Sequence, residues 1–208
     1  AALFLLPVTT RIPLKFGAQV VDEVTVARIA VEVRTIDGRY GIGWGETPLN
    51  VQWGWPAELS YQSRYDAMVR VATASTQALC EISEPGHPME LGVFFRHEYL
   101  DDIARKAGDE ETGPVPELAA LIAASASDLA VHDAYGNALG LDTYTTYGQD
   151  HMRSDLVDLF GPELHPEDRT LFAGLRPADF LELSPSTTLS AWHLVGGLDP
   201  LDTAELTG

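Results

Sequence analysis

The sequence predicts an α+β fold, a three-stranded antiparallel sheet followed by a bundle of helices. Three observations carry that expectation. Three strand-like runs occupy the first fifty residues, with plain period-two alternation at Val24 to Arg34, the spacing becomes helical from Ser60 onward, and an unbroken alanine stripe runs from Ala119 to Ala138.

Ala2 to Phe16 is an extended run broken by Pro7 and Pro13. Proline cannot donate to a ladder, so this run belongs at a sheet edge. Val24 to Arg34 sets Ile29, Val31 and Val33 against Arg28, Glu32 and Arg34, the pattern of a half-buried strand. Asp37-Gly38 then signals a type I′ hairpin, with Tyr40 to Gly45 as the returning strand. Ser60 is an N-cap, and Tyr61, Tyr65, Met68, Ala72 and Leu79 share one side of the helix it opens. Glu84 to Pro116 reads as loops around a short helix near Tyr99 to Lys106, its Asp109-Glu110-Glu111 patch a solvated face. Pro116 opens a long helix carrying Ala119, Ala123, Ala126, Ala130, Ala134 and Ala138, a stripe small enough for another backbone to approach closely. Gly140 stops it, so a first domain spans 1–141. The second part, 142–208, holds short elements, with Leu189 to Val195 the one convincing strand.

Composition excludes several functions. Thirteen Lys and Arg against 31 Asp and Glu give a net charge of −18, which repels phosphate, so neither nucleic acid nor an anionic membrane surface is an expected partner. No apolar stretch approaches the roughly 20 residues a helical span needs. The single cysteine, Cys80, can form no internal disulfide and supports a cytoplasmic location; a small core residue is its simplest role. An apolar fraction of 45% implies a packed core.

The chemical motifs are sparse. Gly41-Ile-Gly-Trp-Gly-Glu46 fails the dinucleotide fingerprint because Glu46 stands where the last glycine belongs, so close packing is the expected use of these glycines. His97-Glu98 has no second histidine four residues on, and His87, His132, His151, His165 and His193 show no ligand spacing. No G-x-S-x-G elbow and no G-x-x-x-x-G-K loop occurs. Asp128 and His132 are four apart on the long helix and can meet. A carboxylate-oriented imidazole is a general base in principle, but without a nucleophile a hydrogen bond on the helix surface or between elements is the simpler role. Trp53 and Trp55, in a Gly/Pro-bounded loop after the third strand, are either core plugs or a flexible aromatic lid.

Two segments together resemble the amino-terminal capping domain of the enolase superfamily, mandelate racemase/muconate lactonizing enzyme branch. The first runs from Arg11-Ile-Pro-Leu-Lys-Phe-Gly17 through Val24–Val33 and Asp37-Gly38 to Gly43-Trp-Gly-Glu46-Thr-Pro-Leu49; the second is Ala123-Ala-Ser-Ala-Ser-Asp128 through Asp133, Gly136 and Gly140. The resemblance covers residues 1 to about 145. It implies a domain that closes over a (β/α)₈-type barrel, with two loops shaping the pocket for a small carboxylate substrate: Phe16, Gly17, Ala18 and Gln19, then Asn50, Val51, Gln52, Trp53 and Trp55. It favours the lid role for the tryptophans and starts the first barrel strand at Ala191-Trp-His193-Leu-Val195, which brings His193 toward the substrate. A barrel needs about 250 residues. The expected chain is therefore a complete cap plus the incomplete start of a barrel, without the Lys-x-Lys base or the Asp/Glu/Glu ligands of Mg²⁺, and with no catalytic or metal-binding residue of its own.

The parent enzyme so implied abstracts a proton α to a carboxylate while Mg²⁺ stabilises the enediolate, as a racemase, epimerase, cycloisomerase or dehydratase, and is a homo-oligomer. A stand-alone binding module derived from the cap is the alternative, and a metal-free hydrolase built on Asp128 and His132 a weaker third. A chain cut in this way is also expected to expose apolar surface, to self-associate, and to hold its residues after about 145 loosely.

Overall fold

The computed structural model describes residues 1–16, 19–182, 184, 186–192, 200 and 202–205. Three strands, β1 (Ala2–Phe16), β2 (Gln19–Arg34) and β3 (Tyr40–Pro48), form one antiparallel sheet in the order β1-β2-β3, and helices follow. This is the α+β arrangement the sequence predicts. β1 lies at an edge, as its prolines require, and its register shifts between Thr9 and Leu14, around Pro13. The β2–β3 turn differs from the expected type I′. Only Gly38 has positive φ, at 87°; the Gly38 N–H donates to Thr35 O at 2.9 Å and the Thr35 N–H to Arg39 O at 2.8 Å. The loop is longer than two residues because Asp37 works as an acceptor for the Thr35 hydroxyl and for Arg39 Nε, at 2.9 Å, and keeps an ordinary backbone.

After a single helical turn, α1 (Val51–Gly54), Ser60 caps α2 (Tyr61–Leu79) by accepting from Ser63 N at 3.0 Å. The buried face of α2 is Arg64, Ala67, Met68, Val71, Ala72, Ser75, Thr76 and Ala78, so of the expected stripe Met68 and Ala72 are buried while Tyr61, Tyr65 and Leu79 lie at the margin. Arg64 tolerates burial because its guanidinium donates to the carbonyls of Ser60 and Trp55. The short helix expected near Tyr99 to Lys106 is present, but the loop expected before it is corrected. α3 (Pro88–Phe95), a π-turn (Arg96–Leu100) and α4 (Asp101–Ala107) follow one another without a break. His87 starts this run. Its Nδ1 accepts from Met89 N, while the Glu90 carboxylate accepts from His87 N at 2.9 Å, a capping box in which histidine replaces the usual hydroxyl.

The long helix α5 (Glu117–Leu139) ends as expected. Gly140 adopts φ 68° and ψ 32°, and the Leu141 and Gly140 amides donate to Gly136 and Asn137 carbonyls, a Schellman close. Along β3 the buried positions are Gly41, Gly43, Gly45 and Thr47, and the three glycines rest on the alanine stripe. A Cβ on Gly43 would sit 2.0 Å from Ala134 N, and one on Gly45 2.0 Å from Ala126 O. Backbone therefore meets backbone across this seam. Two α5 side chains close the free edge of β3: Asp133 Oδ2 accepts from Trp44 N at 2.8 Å and Asn137 Nδ2 donates to Ile42 O at 2.9 Å.

Residues 142–182 form a 3₁₀ turn (Thr143–Thr146), α6 (Leu156–Phe160), α7 (Pro166–Phe172) and further short turns. They do not hang free, as the sequence leads one to expect. Met152 and Leu156 are buried, and Glu90 Oε1 accepts from Arg153 N at 2.7 Å and Ser154 N at 2.8 Å. Of the expected strand Leu189–Val195, residues 189–192 are not extended into a sheet, and 193–195 lie outside the described residues.

Candidate functional site

Both loops singled out in the sequence lie at one end of the sheet. β3 stops at Pro48, opposite Val26, whereas β2 and β1 continue as a two-stranded ribbon to the Phe16–Gln19 pair. At about 3.3 Å per residue, the ribbon from Val26 to Gln19 overhangs the end of β3 by about 23 Å. Gly17, Ala18 and His193 lie outside the described residues, and Phe16 and Gln19 are placed by their backbone pairing alone.

The second loop starts where β3 ends. Asn50 Oδ1 accepts from Trp53 N at 3.1 Å and winds 51–54 into a helical turn. That turn divides the two indoles: Trp53 is 57% exposed and Trp55 only 5%. Val51 and Gly54 are buried as well, and a Cβ on Gly54 would come within 2.7 Å of Ile122 Cδ1. The expectation of a flexible lid made from both tryptophans is thus corrected. Trp55 and Val51 are core plugs, anchored by the Arg64 bond to the Trp55 carbonyl, and Asn50, Gln52 and Trp53 are the side chains left accessible.

A second cluster joins α3, α5 and the 3₁₀ turn after α5. His132 Nδ1 lies 2.9 Å from the Tyr147 hydroxyl, while its Nε2 is 3.9 Å from Asp128 Oδ1, beyond hydrogen-bond length. His87 is almost completely buried: Nδ1 accepts from Met89 N, and Nε2 is 3.0 Å from Thr146 Oγ1. The Thr146 hydroxyl already donates to Thr143 O at 2.7 Å, so it accepts from His87, which fixes the neutral imidazole with its proton on Nε2. A second proton has no acceptor at Nδ1. Burial lowers the His87 pKa to about 4, helped by the neighbouring His132 and opposed by Glu90. Burial likewise lowers His132, with Asp128 opposing, and the apolar surroundings raise the Asp128 carboxyl.

What this arrangement does chemically is hold elements together. The His132 ring meets Tyr147 and, at a distance, Asp128; no serine or cysteine is bonded to it among the described residues, so the triad logic of a hydrolase has no nucleophile here. Beside Asp128 an apolar cavity of about 200 Å³ opens between α3 with its π-turn and α5, lined by Leu91, Phe95, Leu121 and Val131. Cys80, expected in the core, is instead exposed as the C-cap of α2, where the last turn leaves it at the surface. Among the described residues no group of three or more His, Cys, Asp or Glu side chains is arranged to hold a metal ion. No helix described is long and apolar enough to cross a membrane.

Sequence reasoning missed His87, Glu90, Thr146 and Tyr147. The spacing His87-Pro-Met-Glu90 was the available signal, since an acceptor followed three residues later by Glu is a helix start; nothing local links His87 to Thr146. Compared with known proteins, the chain matches no family model, no curated protein and no solved structure.

Proposed function

We propose that this chain is the substrate-capping portion of a Mg²⁺-dependent enolase-superfamily enzyme that works in the cytoplasm on a small carboxylate, and that by itself it carries no turnover. The observation supporting this reading most directly is the placement of the two loops: an overhanging β1–β2 ribbon and an exposed Trp53 turn stand at the same end of one sheet. Loops held by a rigid scaffold at one end are suited to closing over a ligand carried elsewhere. The residues that carry the resemblance have physical work to do in this fold. Gly43 and Gly45 meet Ala126, Ala130 and Ala134, Asp133 closes the β3 edge, Gly136 lies against Thr143, and Gly140 ends α5.

The chemistry assigned to the parent is proton abstraction α to a carboxylate. Mg²⁺, held by residues other than those described, supplies charge neutralisation of the enediolate; this chain's part is to cover the substrate and exclude water. The test has two arms. Purified protein assayed with Mg²⁺ against a panel of acid sugars and α-hydroxy acids is expected to show no racemisation or dehydration. The reading frame beyond Gly208 is expected to encode a Lys-x-Lys strand followed by three spaced acidic strand ends. Metal-dependent turnover by the chain alone, or a natural stop codon at Gly208, overturns the proposal. The stop codon would favour a stand-alone module, a reading to which the docked 142–182 segment lends its support.

A further inference from the structure

The sheet has two faces and the helices cover one. On the other, the register places Phe4, Leu6 and Val8 of β1 beside Val24, Val26, Arg28 and Ala30 of β2, and Ile42 and Trp44 beside Glu32 and Ala30. Phe4, Val8, Ile42 and Trp44 are 42–52% exposed, and the Phe4 and Trp44 rings stack with centroids 6.1 Å apart. From the rise and strand spacing this face measures about 500 Å² in projection, its charged side chains included.

Three features say what covers it. The charges on this part of the face are Arg28 and Arg34 against Asp22, Glu32 and Glu46, with Arg28 paired to Glu46, so it is close to neutral on a chain whose net charge is −18. A second copy of so acidic a chain is repelled from most of the surface but not from here. The sheet edges are blocked, β3 by Asp133 and Asn137 and β1 by Pro7, so strand-to-strand addition is disfavoured while face-to-face stacking stays open. Two such faces together cover about 1,000 Å², the lower limit for a specific interface.

We infer that two copies of this chain associate through the outer face of the β1-β2-β3 sheet, stacking face to face about a two-fold axis centred near Phe4, Ile42 and Trp44. The centre of the interface is apolar, its charges nearly balance, and the bulk of each copy is strongly negative, so rising salt strengthens the dimer by screening repulsion more than it weakens the contact. This inference does not depend on the capping function.

Sedimentation equilibrium of the full 208-residue chain from 1 to 200 µM reads it directly. Expected are a reversible shift from 22.6 kDa to twice that mass, a dissociation constant on the order of 10 µM as for small transient interfaces, and tighter association at 300 mM than at 30 mM salt. Ile42→Lys, on an already exposed side chain, is expected to weaken association at least tenfold with unchanged circular dichroism, whereas Leu171→Lys, on a 68% exposed leucine far from the sheet in sequence, leaves it intact. A wild-type chain monomeric throughout, an Ile42→Lys protein that dimerises as the wild type does, or a dimer that salt dissolves each overturns it. So does a longer chain from the natural reading frame that is monomeric with Trp44 shielded from a fluorescence quencher, which assigns the face to a following segment instead.

Discussion

Helix α5 meets two neighbours in opposite ways. Against β3 it presents alanines to glycines, and the contact consists of the backbone itself, with Ala134 N where a Gly43 Cβ would be. Against the segment after Gly140 it presents His132 to Tyr147, and that segment is held further by His87 to Thr146 and by Glu90 to the Arg153 and Ser154 amides. The first contact is made by removing side chains and has no room for any addition. The second is made by orienting polar groups; it tolerates changes of shape and is sensitive to a proton. One helix thus carries a joint that fails by overpacking and another that fails by titration.

The largest expected effect falls on the first joint. Gly43→Val puts branched carbon into α5 backbone and is expected to destabilise the whole domain by roughly 3 kcal/mol or more, at or beyond the upper end of overpacking penalties. Urea unfolding followed by circular dichroism measures it, and a midpoint equal to wild type would break the comparison. Glu90→Ala should lose about 2 kcal/mol, the scale of a charged acceptor on backbone amides, and lose it locally. Trypsin is expected to cut at Arg153 and Arg169 several-fold faster while the global urea midpoint moves far less.

Acid should act on the second joint alone. His87 is neutral in the docked state with its pKa lowered to about 4, and an undocked ring titrates near 6.5, so protons favour undocking. Docking is therefore complete above pH 6.5 and weakens as pH falls toward 4, by up to about tenfold per unit. Glu90, whose pKa three backbone amides depress, adds a loss of the same sign at lower pH. Amide exchange at Thr146 and Tyr147, corrected for the intrinsic rate, is expected to quicken between pH 6.5 and 5 while Trp44 in the seam does not; parallel behaviour at both sites would merge the two joints into one. The smallest effect is assigned to Tyr147→Phe, which removes one partner of His132 and should loosen docking by about 1 kcal/mol, read as a modest rise in the same exchange rates.

Local signals in the chain were legible because they act within a few residues. Ser60 caps α2, Pro116 and Gly140 bound α5, and alternation in β2 separates Ile29 and Val31 from Arg28 and Glu32, all from backbone chemistry close at hand. Legibility failed where a local signal was unfamiliar. His87 as a cap, between prolines and glycine, made α3 read as loop, although the Glu90 spacing was present. In the candidate site the two loops were found by position, yet the fate of each tryptophan was not: Trp53 and Trp55 are two apart, and the α1 turn sends one to solvent and the other to the core.

By itself the sequence determined the three strands, α2 and α5 with the caps at Ser60 and Gly140, the antiparallel order and the stripe of small residues, because propensity, capping and periodicity are written over spans of a turn or a strand. The tertiary structure alone decided that the glycines of β3 receive that stripe, that His87 reaches Thr146 and His132 reaches Tyr147, and that Phe4 and Trp44 share an uncovered face. Those partners stand far apart in the chain, from 15 residues for Tyr147 and His132 to the whole span between Gly41 and Ala138. Their meeting depends on which faces the packed elements bury, a choice made by the whole chain at once.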